Sequence, residues 1–306
     1  MAITNFIPEL WSAAVQLPFE KALVFGQPTV ANRNYEGQIR QQGDTVNITT
    51  VSAPTIRSYD KTSDITIEDL SDTNIKLVID QGDYFAFRVN DVDRVQAAGD
   101  FEGPATQQAG YGLRDTVDQF IASLFNQSAS NGGPHANNRL GDVSVINGTG
   151  TGKPGTGQTT AWNVLVDLQN RLNKQSVPSD GRYVVIDPDF LSALENDPRF
   201  SRVDASGSSE TLRNGTVGRA AGFDVLLSNN TVKASSRSLI VAGIPLALSF
   251  ANQIVETEAL REQKRFADVV RGLNVYGAKI TRPEGIATAN VEYVPGTGVD
   301  TVVTEP

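Results

Sequence analysis

The chain has 306 residues, a formal net charge of −9 and no cysteine. Its length suits two domains, or one domain with long appendages. The negative charge argues against general affinity for nucleic-acid phosphates, and the lack of cysteine excludes disulfides and thiolate chemistry. Residues 1–5 lack the basic start of a secretion signal, and no apolar run approaches the roughly 20 residues of a membrane-spanning helix. We therefore expect a soluble protein that folds in the cytoplasm and binds no membrane.

Residues 1–34 are rich in large apolar side chains but are interrupted by Pro8, Pro18 and Pro28. The prolines prevent a single long helix. The apolar side chains need burial, either as a strap over the chain's own core or as an arm on a neighbouring subunit. The sequence by itself favours the strap.

Residues 35–89 are predicted to be rich in strands and to include a two-stranded ribbon, because apolar and polar residues alternate with period two. The alternating apolar residues are Val46 and Ile48, and then Ile75, Leu77 and Ile79. Gln42–Asp44 predicts a turn. Residues 52–72 carry little apolar surface, and a ribbon of this kind is marginal in isolation. It should therefore rest on something outside itself.

Residues 104–128 predict one long amphipathic helix, preceded by a buried strand at 84–89 and a helical turn or two at 91–98. One face is apolar: Leu113, Val117, Phe120, Ile121, Leu124 and Phe125. The opposite face is predicted to be polar: Arg114, Asp115, Asp118, Gln119 and Ser123. Gly110 and Gly112 each weaken the helix by roughly 1 kcal/mol relative to alanine, which predicts a closely packed backbone or irregular first turns.

Residues 130–160 predict a loop. The glycine-rich run at 147–157 invites comparison with a phosphate-binding loop, but Asn147 stands where that pattern needs glycine, and Pro154 where it needs a hydroxyl for magnesium. No hydrophobic strand immediately precedes the run. We therefore expect a surface loop.

Residues 160–250 predict a compact α/β unit. Thr160 is a suitable cap for one helix, and Asp187 followed by Pro188 is a suitable start for another. The strands are expected at residues 183–186, 223–227 and 239–242, with a polar loop at 201–209. Because these strands are continuously apolar, the sheet should be covered on both faces.

Residues 251–294 predict a return to strands, at 254–260 and 272–280, joined by a charged hairpin end at 261–265. Residues 295–306 predict a tail with no packing signal.

The reactive side chains form no catalytic constellation. His135 is the single histidine, and in a loop it is expected to be solvated. No partner completes a zinc site, and no Gly-x-Ser-x-Gly motif is present. The remaining candidates are isolated: Glu256 and Glu258 on one strand face, Asp187, Asp189 and Asp197 around a helix start, and Lys153. We assign no catalytic, cofactor-binding or metal-binding residue and expect a structural or assembly protein, not an enzyme.

The order of these parts resembles the major capsid proteins of tailed bacteriophages, which have the Hong Kong 97-type fold. Ile65–Leu70 and then Tyr84–Gln96 look like the segment that leads into the spine helix of that family. Arg271–Glu284 resembles its last core strand with an Arg-Pro-Glu ending. The resemblance covers nearly the whole chain and is strongest to phages of actinobacteria and to the P-twenty-two-like coat proteins.

The resemblance implies an α+β fold and a name for each part. The parts are an N-arm (1–34), an E-loop (35–82), a peripheral domain (83–159) with a spine helix (104–128), an axial domain (160–250), a return to the peripheral domain (251–294) and a tail (295–306). The N-arm and the E-loop would both reach neighbouring subunits. Some relatives join subunits through a lysine–asparagine bond, but neither Lys61 nor Lys76 matches that lysine.

The implied function is self-assembly, as hexamers and pentamers, into an icosahedral shell that encloses phage double-stranded DNA without sequence-specific binding. A separate scaffolding protein and a portal are expected, and a decoration protein is compatible. The shell would be assembled in the host bacterial cytoplasm. The alternatives are an encapsulin-like compartment shell, a hydrolase that uses carboxylates or His135, and a tail or decoration protein.

Overall fold

The computed structural model describes residues 23–34, 45–51, 54–59, 61, 64, 67–69, 72–90, 102–150, 154–197, 218–261 and 267–298. The strands are β1 (Thr45–Val51), β2 (Asp72–Val78), β3 (Gln81–Asn90), β4 (Arg139–Gly150), β5 (Gln158–Thr159), β6 (Tyr183–Ile186), β7 (Arg219–Ala220), β8 (Phe223–Leu227), β9 (Lys233–Ala234), β10 (Arg237–Gly243), β11 (Leu248–Arg261), β12 (Ala267–Ile280) and β13 (Ile286–Gly296). The α-helices are α1 (Glu102–Asn126), α2 (Ala161–Lys174) and α3 (Pro188–Glu195). The fold is therefore mixed α+β, as predicted.

None of the described helices is both long enough and apolar enough to cross a membrane.

The predicted long helix is α1, which begins and ends two residues earlier than expected. Val117, Ile121 and Phe125 are buried on its apolar face. The predicted polar face is wrong at Asp118, which is only 1% exposed, because the backbone of residues 25 and 26 packs against it.

The two glycines of α1 are explained neither by a closely packed backbone nor by irregular first turns, the two possibilities that the sequence offered. The helix is regular through Gly110 and Gly112, and a Cβ atom built on either would meet nothing within 4 Å. Both positions are therefore open in the single subunit.

An eight-stranded sheet forms the centre of the subunit, in the order β5-β4-β13-β10-β6-β8-β7, with β9 paired to β10. Tyr183 and Val185 of β6 face the cluster that contains α1, whereas Val184 and Ile186 face the cluster formed with α2 and α3. The prediction that this sheet is covered on both faces is confirmed.

The loop predicted at 130–160 is wrong for its middle part, where β4 runs parallel to β13. Val143 pairs with Val291, and Val145 with Tyr293. The local signal is weak because polar residues and glycines surround Val143 and Val145. The strand is stabilised by a partner almost 150 residues away, and strand propensity depends strongly on such context.

Both predicted helix caps are present. The Thr160 hydroxyl accepts a hydrogen bond from the backbone N–H of Asn163 at 3.4 Å. The Asp187 carboxylate accepts one from Phe190 at 3.2 Å, with Pro188 at the first helical position. These contacts satisfy backbone donors that a helix leaves free at its N-terminus.

A second sheet has three antiparallel strands in the order β11-β12-β3. One of its faces lies on α1, where the rings of Tyr276 and Phe120 meet edge to face with centroids 5.4 Å apart. The strand predicted at 84–89 is present in β3, but it is not buried: Tyr84 is 76% exposed. Only one face of β3 is covered, so its side chains alternate between partly buried and exposed.

The predicted ribbon is formed by β1 and β2, which pair antiparallel with Val46 opposite Leu77 and Ile48 opposite Ile75. The strands predicted at 254–260 and 272–280 lie within β11 and β12, which also pair antiparallel. The predictions for residues 1–22, 42–44, 91–98, 201–209, 262–265 and 299–306 lie outside the described residues.

Residues 23–34 lie against the chain's own body. The rings of Phe25 and Phe125 are 5.8 Å apart, and Asn32 exchanges backbone hydrogen bonds with Leu248 and Phe250. This part of the N-terminal segment is therefore a strap over the core, as the sequence favoured.

Candidate assembly surfaces

The ribbon formed by β1 and β2 is attached to the body through a compact root. Leu77 and Ile79 are fully buried and form a small apolar cluster with Val46, Ala251 and Val275. The ammonium group of Lys279 donates a hydrogen bond to the backbone carbonyl of Lys76 at 2.9 Å. The root of the ribbon is thus packed on the face of the three-stranded sheet opposite α1.

The described residues between β1 and β2 include apolar side chains that the rest of the described chain does not cover. Ile56 is 97% exposed, Ile67 is 90% exposed and Tyr59 is 77% exposed. Glu68 bridges to Thr55, accepting hydrogen bonds from its backbone N–H and its hydroxyl, both at 3.2 Å. The two sides of the loop are therefore tied together while their apolar side chains face outward.

A second uncovered surface lies on the outer face of the three-stranded sheet, beyond the root. A cleft of about 510 Å³ is found there. Its lining is Tyr84, Phe85, Ala86, Glu258, Val269, Arg271, Gly272 and Leu273. At its centre the Arg271 guanidinium pairs with the Glu258 carboxylate, with the shorter N–O distance 2.6 Å. The surface is apolar around one ion pair, which is typical of a protein–protein interface.

The residues considered for catalysis have structural partners. His135 is half buried, and its Nδ1 atom accepts a hydrogen bond from the backbone N–H of Asn137 at 3.3 Å. We expected it to be solvated; instead it caps a short 3₁₀ turn at 136–138. Glu258 is paired with Arg271, so it is not half of a catalytic carboxylate pair with Glu256, whose side chain is outside the described part.

Asp187 is fully buried and accepts hydrogen bonds from Phe190 and from the hydroxyl of Tyr293. Burial, together with the nearby Asp187 charge, raises the pKa of Tyr293 far above its usual range. Within the described residues no three His, Cys, Asp or Glu side chains converge as a metal site. The Asp187 carboxylate therefore holds the start of α3 and the Tyr293 hydroxyl together.

The glycine-rich run at 147–157 is preceded by a strand, contrary to our expectation, because β4 extends to Gly150. The run still differs from a phosphate-binding loop, because Asn147 stands where that motif requires glycine and Pro154 where it requires a hydroxyl residue. Lys153 lies outside the described residues.

Asp118 is a position whose role the sequence does not reveal, since periodicity predicts that it lies on a solvated face. Its partners, the backbone N–H groups of Phe25 and Gly26, are more than 90 residues away, so no local pattern reports the contact.

The comparisons with known proteins agree on one class. The structure of Mycobacterium phage Che8 matches with a TM-score of 0.71 and 32% identity, over 94% of this chain and 98% of that one. The capsid of the cyanophage P-SCSP1u matches with a TM-score of 0.69 and 16% identity, over 95% and 94%. Gordonia phage Cozz matches with a TM-score of 0.62 and 13% identity, over 95% and 92%. No curated protein matches the sequence.

The long helix, the projecting ribbon and the two sheets thus define the Hong Kong 97-like fold of phage capsid shell proteins. The family model described as phage capsid protein matches residues 74–289. The chain belongs to the phage capsid protein family, and it is a major capsid protein of a virion shell. The compartment-shell and hydrolase alternatives receive no support.

Proposed function

We propose that the E-loop, residues 35–82, carries the contact that joins one subunit to the next in the shell. The supporting observation is the exposure of Ile56 and Ile67, 97% and 90%, on a loop whose root is fully buried. Water-exposed isoleucines on a rooted ribbon gain burial only from another molecule. The uncovered face of the three-stranded sheet around Tyr84 and Leu273 is the surface that receives them on the neighbouring copy.

The energy of such a contact is sufficient to decide assembly. Full burial of one isoleucine side chain is worth roughly 1.5–3 kcal/mol, so the pair contributes about 3–6 kcal/mol per contact. Each 1.4 kcal/mol changes an association constant about tenfold. A closed shell repeats the contact in every subunit, so weak individual contacts add up to a stable particle.

The test replaces both isoleucines, Ile56→Ser with Ile67→Ser. The melting temperature of the free subunit should not change measurably, because exposed substitutions usually alter stability by less than about 0.5 kcal/mol. Shell yield, measured by sedimentation velocity and negative-stain electron microscopy, should fall to background. The control is Arg57→Gln, which alters an exposed side chain of the same loop without removing apolar area, and it should assemble normally. Shells at normal yield from the double variant would contradict the proposal.

We further propose the division into N-arm, E-loop, peripheral domain, axial domain and tail at the boundaries given above, with the subunits arranged as hexamers and pentamers around phage double-stranded DNA. The family resemblance supports this arrangement. The net charge of −9 supports enclosure of DNA without binding to it, since an acidic wall has no general attraction for phosphates.

We also propose that a separate scaffolding protein and a portal take part, and that assembly takes place in the cytoplasm of the host bacterium. The resemblance to tailed-phage capsid proteins implies these partners. Co-expression of the chain with the scaffolding gene should raise the fraction of closed, uniform shells over that from the chain alone, counted in electron micrographs.

A further inference from the structure

The E-loop joins the body through a very short connection. β2 ends at Val78 and β3 begins at Gln81, so only Ile79 and Asp80 lie between the ribbon and the three-stranded sheet. Ile79 is fully buried and Leu77 is fully buried. The ribbon therefore has no flexible linker on this side, and its direction is set by the packing of its root.

Gly277 lies directly beneath this root. A Cβ atom built on Gly277 would be 2.4 Å from the carbonyl oxygen of Val78 and 3.0 Å from the Cα atom of Ile79. Both contacts are to backbone atoms, which cannot rotate away as a side chain can. The absence of a side chain at Gly277 thus allows β2 to lie flat against β12 at this point.

A small shift at the root becomes a larger one at the far end of β2. With a side chain at position 277, the Val78 carbonyl would have to retreat by about 1 Å to reach ordinary van der Waals distance. Over the two residues, ~7 Å, that separate it from the Lys76 contact, this is a tilt of about 8°. Asp72, at the far end of β2, lies five residues from Leu77, or about 17 Å along the strand, so it would move by about 2 Å.

We propose that Gly277 is a positioning residue for shell assembly: it fixes the direction in which the E-loop leaves the subunit, and hence whether Ile56 and Ile67 meet the neighbouring subunit. This proposal rests on the proposed function of the E-loop. A displacement of about 2 Å is larger than the gap of roughly 0.5–1 Å that already removes a quarter to a half of a van der Waals attraction, so the apolar contact is weakened without any change in the loop itself.

The test measures the direction of the loop in the free subunit. The chain has no cysteine, so Lys61→Cys with Asn173→Cys gives two specific sites for spin labels, one on the E-loop and one on the exposed end of α2. We expect Gly277→Ala to shift the mean label distance by about 2 Å or more, or to broaden its distribution markedly, and to abolish shells or change their diameter.

The matched control is Gly272→Ala in the same strand, where the added Cβ would meet the ring of Phe85 at 2.4 Å and not the E-loop. It should leave the label distance unchanged. An unchanged distance in Gly277→Ala, or an equal shift in both variants, would overturn the proposal.

A second variant keeps the test decisive if Gly277→Ala does not fold. Lys279→Met removes the hydrogen bond to the Lys76 carbonyl at an exposed position and should broaden the same distance distribution; an unchanged distribution would count against a root held by these contacts. The two proposals fail separately. Normal shells from the double isoleucine variant overturn the role of the E-loop contact, whereas normal shells and an unchanged distance from Gly277→Ala overturn only the role of Gly277.

Discussion

At the scale of single residues, Asp118 is the most informative position. Its carboxylate accepts hydrogen bonds from the backbone N–H groups of Phe25 at 2.7 Å and Gly26 at 3.2 Å, and from the side chain of Asn230 at 3.0 Å. One carboxylate therefore ties the N-terminal strap, the long helix and the segment after β8 together. Periodicity placed Asp118 on a solvated face, because the segment that covers it is more than 90 residues away.

This environment predicts a pH dependence. Burial raises the pKa of Asp118 above the 3.8 of an ordinary aspartate side chain, and the hydrogen bonds from Asn230, Gly26 and Phe25 only partly oppose this rise. Because the pKa is higher in the folded than in the unfolded chain, the folded state gains relative stability as Asp118 becomes protonated. This contribution is fully present below pH 3.8 and is lost as pH rises through the raised value.

The comparison is between the wild type and Asp118→Asn, which does not titrate. The melting temperature of the wild type minus that of the variant should be larger near pH 4 than at pH 7. Asp167→Asn, on α2, is the control, and its difference from the wild type should not follow this trend. A difference for Asp118→Asn that is constant, or that grows with pH, would contradict the assignment.

At the scale of elements, the sequence predicts a helix or strand correctly where the residues that define the element lie within it. The long helix α1, the capped helices α2 and α3, and the buried strand β6 were all predicted, because apolar spacing and capping residues lie within the element. The strand β4 was missed and the burial of β3 was overestimated. Both depend on which neighbour a strand meets, and a sequence window does not contain that neighbour.

The open glycines of α1 give a prediction at this scale. Gly110→Ala and Gly112→Ala should each stabilise the free subunit by up to about 1 kcal/mol, because alanine favours the helix and the space for its Cβ is empty. Urea unfolding of the free subunit measures the effect.

The control for these two variants is a glycine-to-alanine change that should lower the free energy of unfolding. A Cβ atom at Gly133, after the end of α1, would lie 1.9 Å from the Gln127 carbonyl oxygen, so Gly133→Ala should destabilise. Destabilisation by Gly110→Ala or Gly112→Ala would show that these positions are not open.

At the scale of the whole molecule, charge and exposed apolar surface act against each other. Each subunit carries a formal net charge of −9, so copies repel one another, while the proposed contact between the E-loop and the uncovered sheet face would attract them. The charges act over the Debye length, about 30 Å at 0.01 M salt and about 8 Å at 0.15 M, whereas apolar contacts act only at close range.

The balance predicts that salt favours assembly. Raising ionic strength from 0.01 M to 0.15 M should lower the subunit concentration at which shells first form, as followed by light scattering. Sucrose at matched viscosity is the control and should not reproduce the shift. A threshold concentration that rises with salt would indicate that attractive ion pairs, and not apolar contacts, dominate the interface.

The position of β13 has a consequence for synthesis. β13 comes after every other described strand in the chain, yet it lies between β4 and β10 in the eight-stranded sheet. While a ribosome is still translating residues before 286, this sheet is divided into two halves with a gap between them. The eight-stranded sheet can therefore close only after residues 286–296 have been made, so its two halves must wait for a segment that is distant in sequence.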